Sequence, residues 1–219
     1  MMHKRLMSTL TVGMAICLAL MGLMASGATA SNIDTMLDPT PYPDDYLLML
    51  AHQVETDNQQ NGNSTTWRGG PLGVLDAMPT VGYGDKLAGF ALEDVSGTTI
   101  IDRIEGPKLL NFWATWCGPC MDEIPDLIEA ALDPDTSFEV IFVNVWDTPE
   151  DLGKFISKQP EGLHILRNGD SVADDLGVMA IPTSILIDAD GIVRIVHVGN
   201  ITPTVMEFFQ AVASESELE

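Results

Sequence analysis

Short hydrophobic runs alternate with segments of helical spacing in the second half of the chain. Residues 108–113 and 138–145 are largely apolar and of strand length, which is typical of strands buried on both faces of a sheet. Apolar side chains recur at helical spacing over 121–132, and Thr148-Pro149 has the form of a second helix start. This alternation predicts a β-α-β-α order.

Two adjacent strands are predicted nearer the end of the chain. Residues 183–188 and 192–198 are strand candidates joined by Ala189-Asp190-Gly191, which is typical of a hairpin turn. A short helix is predicted before them at 171–176, and a closing helix after them at 203–213. The full order predicts an α/β fold whose central mixed sheet is parallel at first, then antiparallel, and covered by helices.

The first 30 residues have the three parts of a secretory signal peptide. Lys4 and Arg5 make a basic start, residues 14–24 are almost wholly apolar, and Ala28-Thr29-Ala30 is a small-x-small cleavage site. The alternative is an uncleaved anchor, since residues 6–28 are long enough to tether the chain to a bilayer. Either way, the body of the protein is expected in the periplasm or another extracytoplasmic compartment, where disulfides persist.

Residues 31–77 are predicted to form an N-terminal extension or linker ahead of a main domain at 78–215. Within the extension, 44–55 has the spacing of an amphipathic helix, whereas 57–73 is polar and typical of a loop. The extension is therefore either a helix packed on the main domain or a poorly ordered tether. Residues 90–92 of the main domain are a short strand candidate, and residues 98–104 are either another strand or part of a helix start.

The charge composition argues against one class of binding partner. The 219-residue chain carries 10 basic against 32 acidic side chains, a net charge of -22, which argues against nucleic-acid binding because phosphates are repelled. We interpret the acidic surface as a solubilising one, with an acid-coded docking surface as the alternative.

The cysteines indicate redox chemistry. Cys17 falls in the leader, which leaves Cys117 and Cys120 as the pair of the mature chain. Their Cys-x-x-Cys spacing follows a predicted strand and opens a predicted helix, where unpaired N–H groups and the helix dipole favour a thiolate. Half of a zinc site is the rival use of such a pair, but His52, His164 and His197 are not at ligand spacing, so no metal is expected.

Three segments together resemble a known family. NFWATWCGPC at 111–120, followed by MDEIP at 121–125, resembles the active-site segment of the TlpA/ResA-like branch of thioredoxin-fold proteins. GVMAIPT at 177–183 resembles the loop that holds the family's cis proline, and IDADG at 187–191 its hairpin. The resemblance covers about 78–213 and implies a thioredoxin-like three-layer α/β/α fold.

The resemblance implies roles for the residues around the pair. Cys117 would attack a substrate disulfide as a thiolate, and Cys120 would resolve the mixed disulfide. Glu123 would accept the proton of Cys120; the alternative is an exposed first-turn carboxylate that complements the helix dipole. Asn111 stands where cytoplasmic thioredoxins place a buried aspartate, and an amide cannot carry that proton.

Further residues are assigned to redox poise and substrate contact. Gly118 and Pro119 resemble the dipeptide of reducing members of the family, and Pro119 stiffens the helix start. The resemblance implies a cis bond between Ile181 and Pro182, which would present the Ile181 backbone to a substrate chain. Trp116 is expected to flank Cys117 as an apolar docking surface.

Together these features predict an extracytoplasmic thiol:disulfide oxidoreductase that uses no metal or organic cofactor. It would reduce disulfides in exported proteins or apocytochrome c and receive electrons from a membrane thiol donor of the DsbD/CcdA kind. Two alternatives remain open: a disulfide oxidase or isomerase, and a metallochaperone that binds Cu(I) through both thiolates.

Overall fold

The computed structural model describes only part of the chain, and all of that part lies in one compact unit, Pro41–Glu219. The described residues are 44–67, 70–73, 79–87, 94 and 104–216. Several predicted features lie outside them: the signal peptide or anchor, the strand candidate at 90–92, most of the candidate at 98–104, and the domain boundary at 77/78. In the described ranges, no helix has the length and hydrophobicity needed to cross a bilayer.

The described residues include five helices and seven strands. In chain order they are α1 (Asp44–Asn61), β1 (Ser64–Trp67), β2 (Gly70–Gly73), β3 (Lys108–Trp113), α2 (Gly118–Leu132), β4 (Glu139–Asn144), α3 (Pro149–Ile156), β5 (His164–Leu166), α4 (Asp170–Leu176), β6 (Thr183–Ile187), β7 (Val193–Val198) and α5 (Pro203–Ser216).

The strands form one mixed sheet in the order β2-β1-β7-β6-β3-β4-β5. Strands β3, β4 and β5 are parallel, whereas β6 runs antiparallel to β3 and forms the predicted hairpin with β7. Strands β1 and β2 extend the antiparallel side, since β1 pairs with β7 and β2 pairs with β1. The predicted order of parallel and then antiparallel strands is confirmed.

Strand β3 lies inside the sheet, and all six of its residues are buried. Leu109 and Trp113 pack in one apolar cluster with α1, α2, α3 and α5, and Leu110 and Phe112 pack in a second cluster with α4. Side chains of a strand alternate between its two faces, so the sheet is covered on both sides. The predicted three-layer α/β/α fold is confirmed.

Helix starts follow the sequence signals closely. Thr148 caps α3, because its hydroxyl accepts a hydrogen bond from the backbone N–H of Asp151 at 3.2 Å, and Pro149 stands in the first turn. Helix α2 begins at Gly118, with Cys117 as its N-cap residue and a proline in its first turn. The sulfur pair is thereby fixed between β3 and the first turn of α2.

The loop predicted over 57–73 is wrong. Helix α1 continues to Asn61, and β1 and β2 then form a hairpin that joins the sheet. Leu47, Leu50 and Val54 are buried in the same apolar cluster as α5, so the packed-helix alternative holds and the tether does not. Polar residues led to the loop prediction, but several of them are buried and hydrogen-bonded to distant elements. Hydrophobic periodicity does not detect such partners.

Gly199 lies where the extension meets the end of β7, and we expect Gly199→Ala to destabilise the fold. Its φ is 115°, and a Cβ atom there would lie 2.0 Å from Oδ1 of the buried Asn63. Strain and overlap together should lower the free energy of unfolding by about 2 kcal/mol or more in denaturant titration. Gly153→Ala is the matched control, since a Cβ there meets no atom within 4 Å and α3 should become slightly more stable. Equal stability of the Gly199 variant and the wild type would contradict this packing.

Candidate active site

The two cysteines of the motif form a disulfide at the start of α2. Cys117 is 5% exposed and Cys120 is fully buried, so Cys117 is the sulfur nearer to solvent. The backbone N–H of Cys120 points at Cys117 Sγ at 3.2 Å. In the reduced protein this N–H and the positive end of the helix dipole would stabilise a thiolate at Cys117.

The loop before β6 brings a proline against the pair. The Ile181–Pro182 peptide bond is cis, as the resemblance implies, and the carbonyl oxygen of Ile181 lies 3.7 Å from Cys117 Sγ. Pro182 is buried and Ile181 is half-buried. The structure therefore brings together Cys117, Cys120, Ile181 and Pro182, although the cysteines and the proline loop are about sixty residues apart in the sequence.

Apolar side chains are exposed around Cys117. Trp116 is 63% exposed, and its Nε1–H donates to the carbonyl oxygen of Trp146 at 3.1 Å. Trp146 is also exposed, and Met179 is 76% exposed on the loop that carries Ile181. Sequence reasoning missed Trp146 and Met179. Parallel strands β3 and β4 end at the same edge of the sheet, which is the signal that could have placed Trp146 beside the motif.

The turn before the motif is held by a carboxylate at the end of β4. Asp147 Oδ2 accepts from the backbone N–H of Thr115 at 2.8 Å, and its Oδ1 accepts from the Thr115 hydroxyl at 2.6 Å. The amide of Asn144 donates to the same carboxylate at 2.6 Å. Three hydrogen bonds therefore fix the backbone that presents Trp116 and Cys117.

Glu123 is buried, 3% exposed, on the same side of α2 as Cys120. Its Oε1 accepts from Asn111 Nδ2 at 2.8 Å, and its Oε2 accepts from the backbone N–H of Ile201 at 2.7 Å. Burial raises the pKa of Glu123 from 4.5 to about 7, and these two hydrogen bonds limit the rise. The alternative of an exposed first-turn carboxylate is wrong, and the carboxyl can both hold and release a proton near neutrality.

Asn111 supports this carboxyl from β3. Its Nδ2 also donates to Ser184 Oγ at 2.9 Å, and its Oδ1 has no hydrogen-bond partner among the residues that the structure describes. A side-chain amide does not titrate, so of this hydrogen-bonded pair only the Glu123 carboxyl can bind or release a proton.

No three His, Cys, Asp or Glu side chains of the described residues lie together in a way that could hold a metal ion.

Comparison with known proteins gives the same chemistry. The sequence model of the AhpC/TSA family matches residues 83–196, just over half of the chain. The thiol-disulfide oxidoreductase ResA of Halalkalibacterium halodurans is 32% identical over 130 residues, covering 58% of this chain and 74% of ResA. The thiol:disulfide interchange protein HelX of Rhodobacter capsulatus is 33% identical over 122 residues, covering 53% of this chain and 68% of HelX.

Solved structures agree with the fold. The crystal structure of a thiol:disulfide interchange protein DsbE from Chlorobium tepidum superposes with a TM-score of 0.55 at 30% identity, over 62% of this chain and 99% of that one. The family match begins after the α1, β1 and β2 segment, which therefore lies outside it.

Proposed function

The chain belongs to the AhpC/TSA family, and from this premise we propose that it is an extracytoplasmic reductant of disulfides in exported proteins or apocytochrome c. It is a thiol-disulfide oxidoreductase, in line with the names thiol-disulfide oxidoreductase and thiol:disulfide interchange protein that its relatives carry, and its substrates bear disulfides. The observation that carries the proposal is the Cys117–Cys120 disulfide at a helix start, with the Ile181 carbonyl oxygen 3.7 Å from Cys117 Sγ and the buried carboxyl of Glu123 three residues after Cys120. The signal-like leader supports the extracytoplasmic part.

The first step is attack by Cys117. In the reduced protein its thiolate attacks one sulfur of a substrate disulfide, that S–S bond breaks, and the second substrate sulfur leaves as a thiolate. The product is a mixed disulfide between Cys117 and the substrate. The Cys120 N–H and the start of α2 favour the thiolate, and the exposed Trp116 offers an apolar contact for the substrate chain.

The second step is resolution by Cys120. Its thiol passes a proton to the carboxylate of Glu123, its sulfur attacks Cys117 Sγ, and the remaining substrate sulfur leaves as a thiolate. Two electrons have then passed from the cysteine pair to the substrate, and the protein holds the Cys117–Cys120 disulfide. A membrane thiol donor would return the two electrons and close the cycle.

The direction of transfer is tested by the reduction potential. Gly118 and Pro119, between the cysteines, are the dipeptide of reducing members of the family that this chain resembles. We therefore expect a potential near that of thioredoxin, about −270 mV, when the pair is equilibrated with glutathione buffers and trapped by alkylation. A potential near about −120 mV would contradict the reductant and favour the oxidase alternative.

A further inference from the structure

Buried polar side chains connect the N-terminal extension with the loop that follows β7. Asn58 Nδ2 donates to Thr65 Oγ1 at 2.8 Å, Thr65 Oγ1 lies 2.8 Å from His197 Nδ1, and His197 Nε2 lies 3.1 Å from the carbonyl oxygen of Asn200. The three side chains are fully buried. Buried polar groups are costly unless paired, so this hydrogen-bonded chain is a constraint on the local structure.

The donor and the acceptor of each hydrogen bond in this series can be assigned. The carbonyl of Asn200 can only accept, so His197 Nε2 carries the hydrogen. Burial lowers the pKa of His197 to about 4, which leaves the ring neutral and Nδ1 an acceptor at pH 7. The Thr65 hydroxyl therefore donates to His197 Nδ1 and accepts from Asn58. The series of hydrogen bonds runs in one donor direction from Asn58 to the Asn200 carbonyl oxygen.

Two more side chains of the extension hold the same loop. Asn63 Nδ2 donates to the Asn200 carbonyl oxygen at 3.1 Å. Two residues on, the Thr202 hydroxyl donates to Asp57 Oδ2 at 2.8 Å. The extension therefore contacts the loop on both sides of Ile201, through the Asn200 carbonyl group and the Thr202 side chain.

The held loop contacts the active site directly. The Ile201 N–H donates to Glu123 Oε2, and the Asn200 side chain donates to the carbonyl oxygen of Pro119, between the cysteines, at 3.3 Å. Only one other hydrogen bond to the Glu123 carboxylate is observed in the described residues, that from Asn111.

A row of buried polar residues across the sheet also connects the N-terminal extension with the Glu123 carboxyl. Thr65 pairs in register with His197, His197 with Ser184, and Ser184 with Asn111, so the row crosses β1, β7, β6 and β3. All four side chains are fully buried, and the last of them donates to Glu123. Side chains at paired positions lie on the same face of a sheet, so the row runs continuously from the extension to the Glu123 carboxyl.

We propose that Thr65 and His197 are positioning residues through which the N-terminal extension holds the Ile201 N–H on the Glu123 carboxylate. This deepens the proposed function, in which Glu123 takes the proton of Cys120. The hydrogen bond stabilises the ionised carboxylate and so opposes the effect of burial. Among the described residues, the ionisable side chains that contact this connection include His197 on β7 and Asp57 on α1, whereas Cys120 on α2 is held in the disulfide of the oxidised protein.

The test is Thr65→Val, which keeps the β-branched shape and removes the hydroxyl. We expect the pKa of Glu123, followed by carboxyl ¹³C NMR in the oxidised full-length protein, to rise by about half a unit. Hydrogen exchange of the Ile201 amide should be faster in the same variant. Thr65→Ser, which restores the hydroxyl, should return both values to those of the wild type.

Thr66→Val is the matched control on the same strand. Thr66 is half-buried on β1 and its side chain points to the opposite face, so its loss of a hydroxyl should change neither reading. Asn63→Ala removes the other extension donor to the Asn200 carbonyl and should shift both readings in the same direction as Thr65→Val.

Unchanged Glu123 pKa and Ile201 exchange in both Thr65→Val and Asn63→Ala would overturn the proposal. Reduction of insulin disulfides is measured separately. If the wild-type protein reduces none while Thr65→Val still shifts the Glu123 pKa, the proposed function fails and the positioning role stands.

Discussion

Cys117→Ser is expected to abolish disulfide reduction, with turnover of an insulin substrate falling to the uncatalysed background. A loss on the order of 10⁴-fold or more is typical when the nucleophile of a covalent mechanism is removed. Serine at this position is not ionised near neutral pH and cannot form the mixed disulfide, although the helix start and the Cys120 N–H remain in place. A Cys17→Ser background leaves the motif cysteines as the only thiols of the chain.

Cys120→Ser supplies the comparison in the same background. Cys117 can then attack but cannot be resolved, so mixed disulfides should accumulate through Cys117 and identify the substrates by mass spectrometry. The variant lacking both cysteines should capture nothing. Mixed disulfides in Cys117→Ser but not in Cys120→Ser would reverse the two roles, and capture in neither would contradict a reductase that acts on proteins.

The core of the main domain was predictable because its strands are buried on both faces. β3 has a continuous buried run at the residues predicted for it, and Thr148 with Pro149 marks a helix start that the structure keeps. Such local signals do not depend on which distant element provides the burial. β5, with three residues, was missed because so short a strand carries no period.

The prediction for residues 57–73 was wrong because burial there depends on partners in distant elements. Asn58 and Thr65 are polar in sequence and fully buried in the structure, because His197, 132 residues beyond Thr65, satisfies the Thr65 hydroxyl. Periodicity counts apolar positions and cannot detect a polar residue whose partner lies in another element. Residues 57–73 are therefore a loop in the prediction, whereas the structure places the end of α1 and two sheet strands there.

In the candidate active site, too, some features could be predicted from the sequence and others depend on packing between distant residues. The Cys-x-x-Cys spacing at a predicted helix start indicated Cys117 and Cys120, and the resemblance of residues 177–183 to the family's proline loop indicated Pro182. The environment of Glu123 depends on the Ile201 N–H, 78 residues away, and on burial that no motif states. Sequence could name this carboxyl as a candidate, and only the packed structure gives its raised pKa.

Glu123→Gln is expected to remove a pH-dependent component of stability. The folded pKa of about 7 lies above the ordinary value of 4.5, so between these values the folded state binds a proton that the unfolded state has lost. Stability from this group is therefore fully present below about pH 4.5, falls as pH rises, and is lost above about pH 7. A shift of this size corresponds to roughly 3 kcal/mol, so in denaturant titrations from pH 5 to 8 the advantage of the variant over the wild type should grow with pH and approach that amount at pH 8.

The same substitution should slow resolution of the mixed disulfide about a hundredfold at pH 7, because it removes the proton acceptor of Cys120. In the wild type, stopped-flow release of substrate thiol should increase with pH around a midpoint near 7, and Glu123→Gln should lose that increase. Asp122→Asn makes the same change of charge one residue earlier, at an exposed position of α2, and should keep the wild-type profile. A midpoint near 7 that persists in Glu123→Gln would assign the titration to another group, and equal slowing in Asp122→Asn would reduce the effect to net charge. Loss of the midpoint in Glu123→Gln alone identifies the buried carboxyl as the proton acceptor.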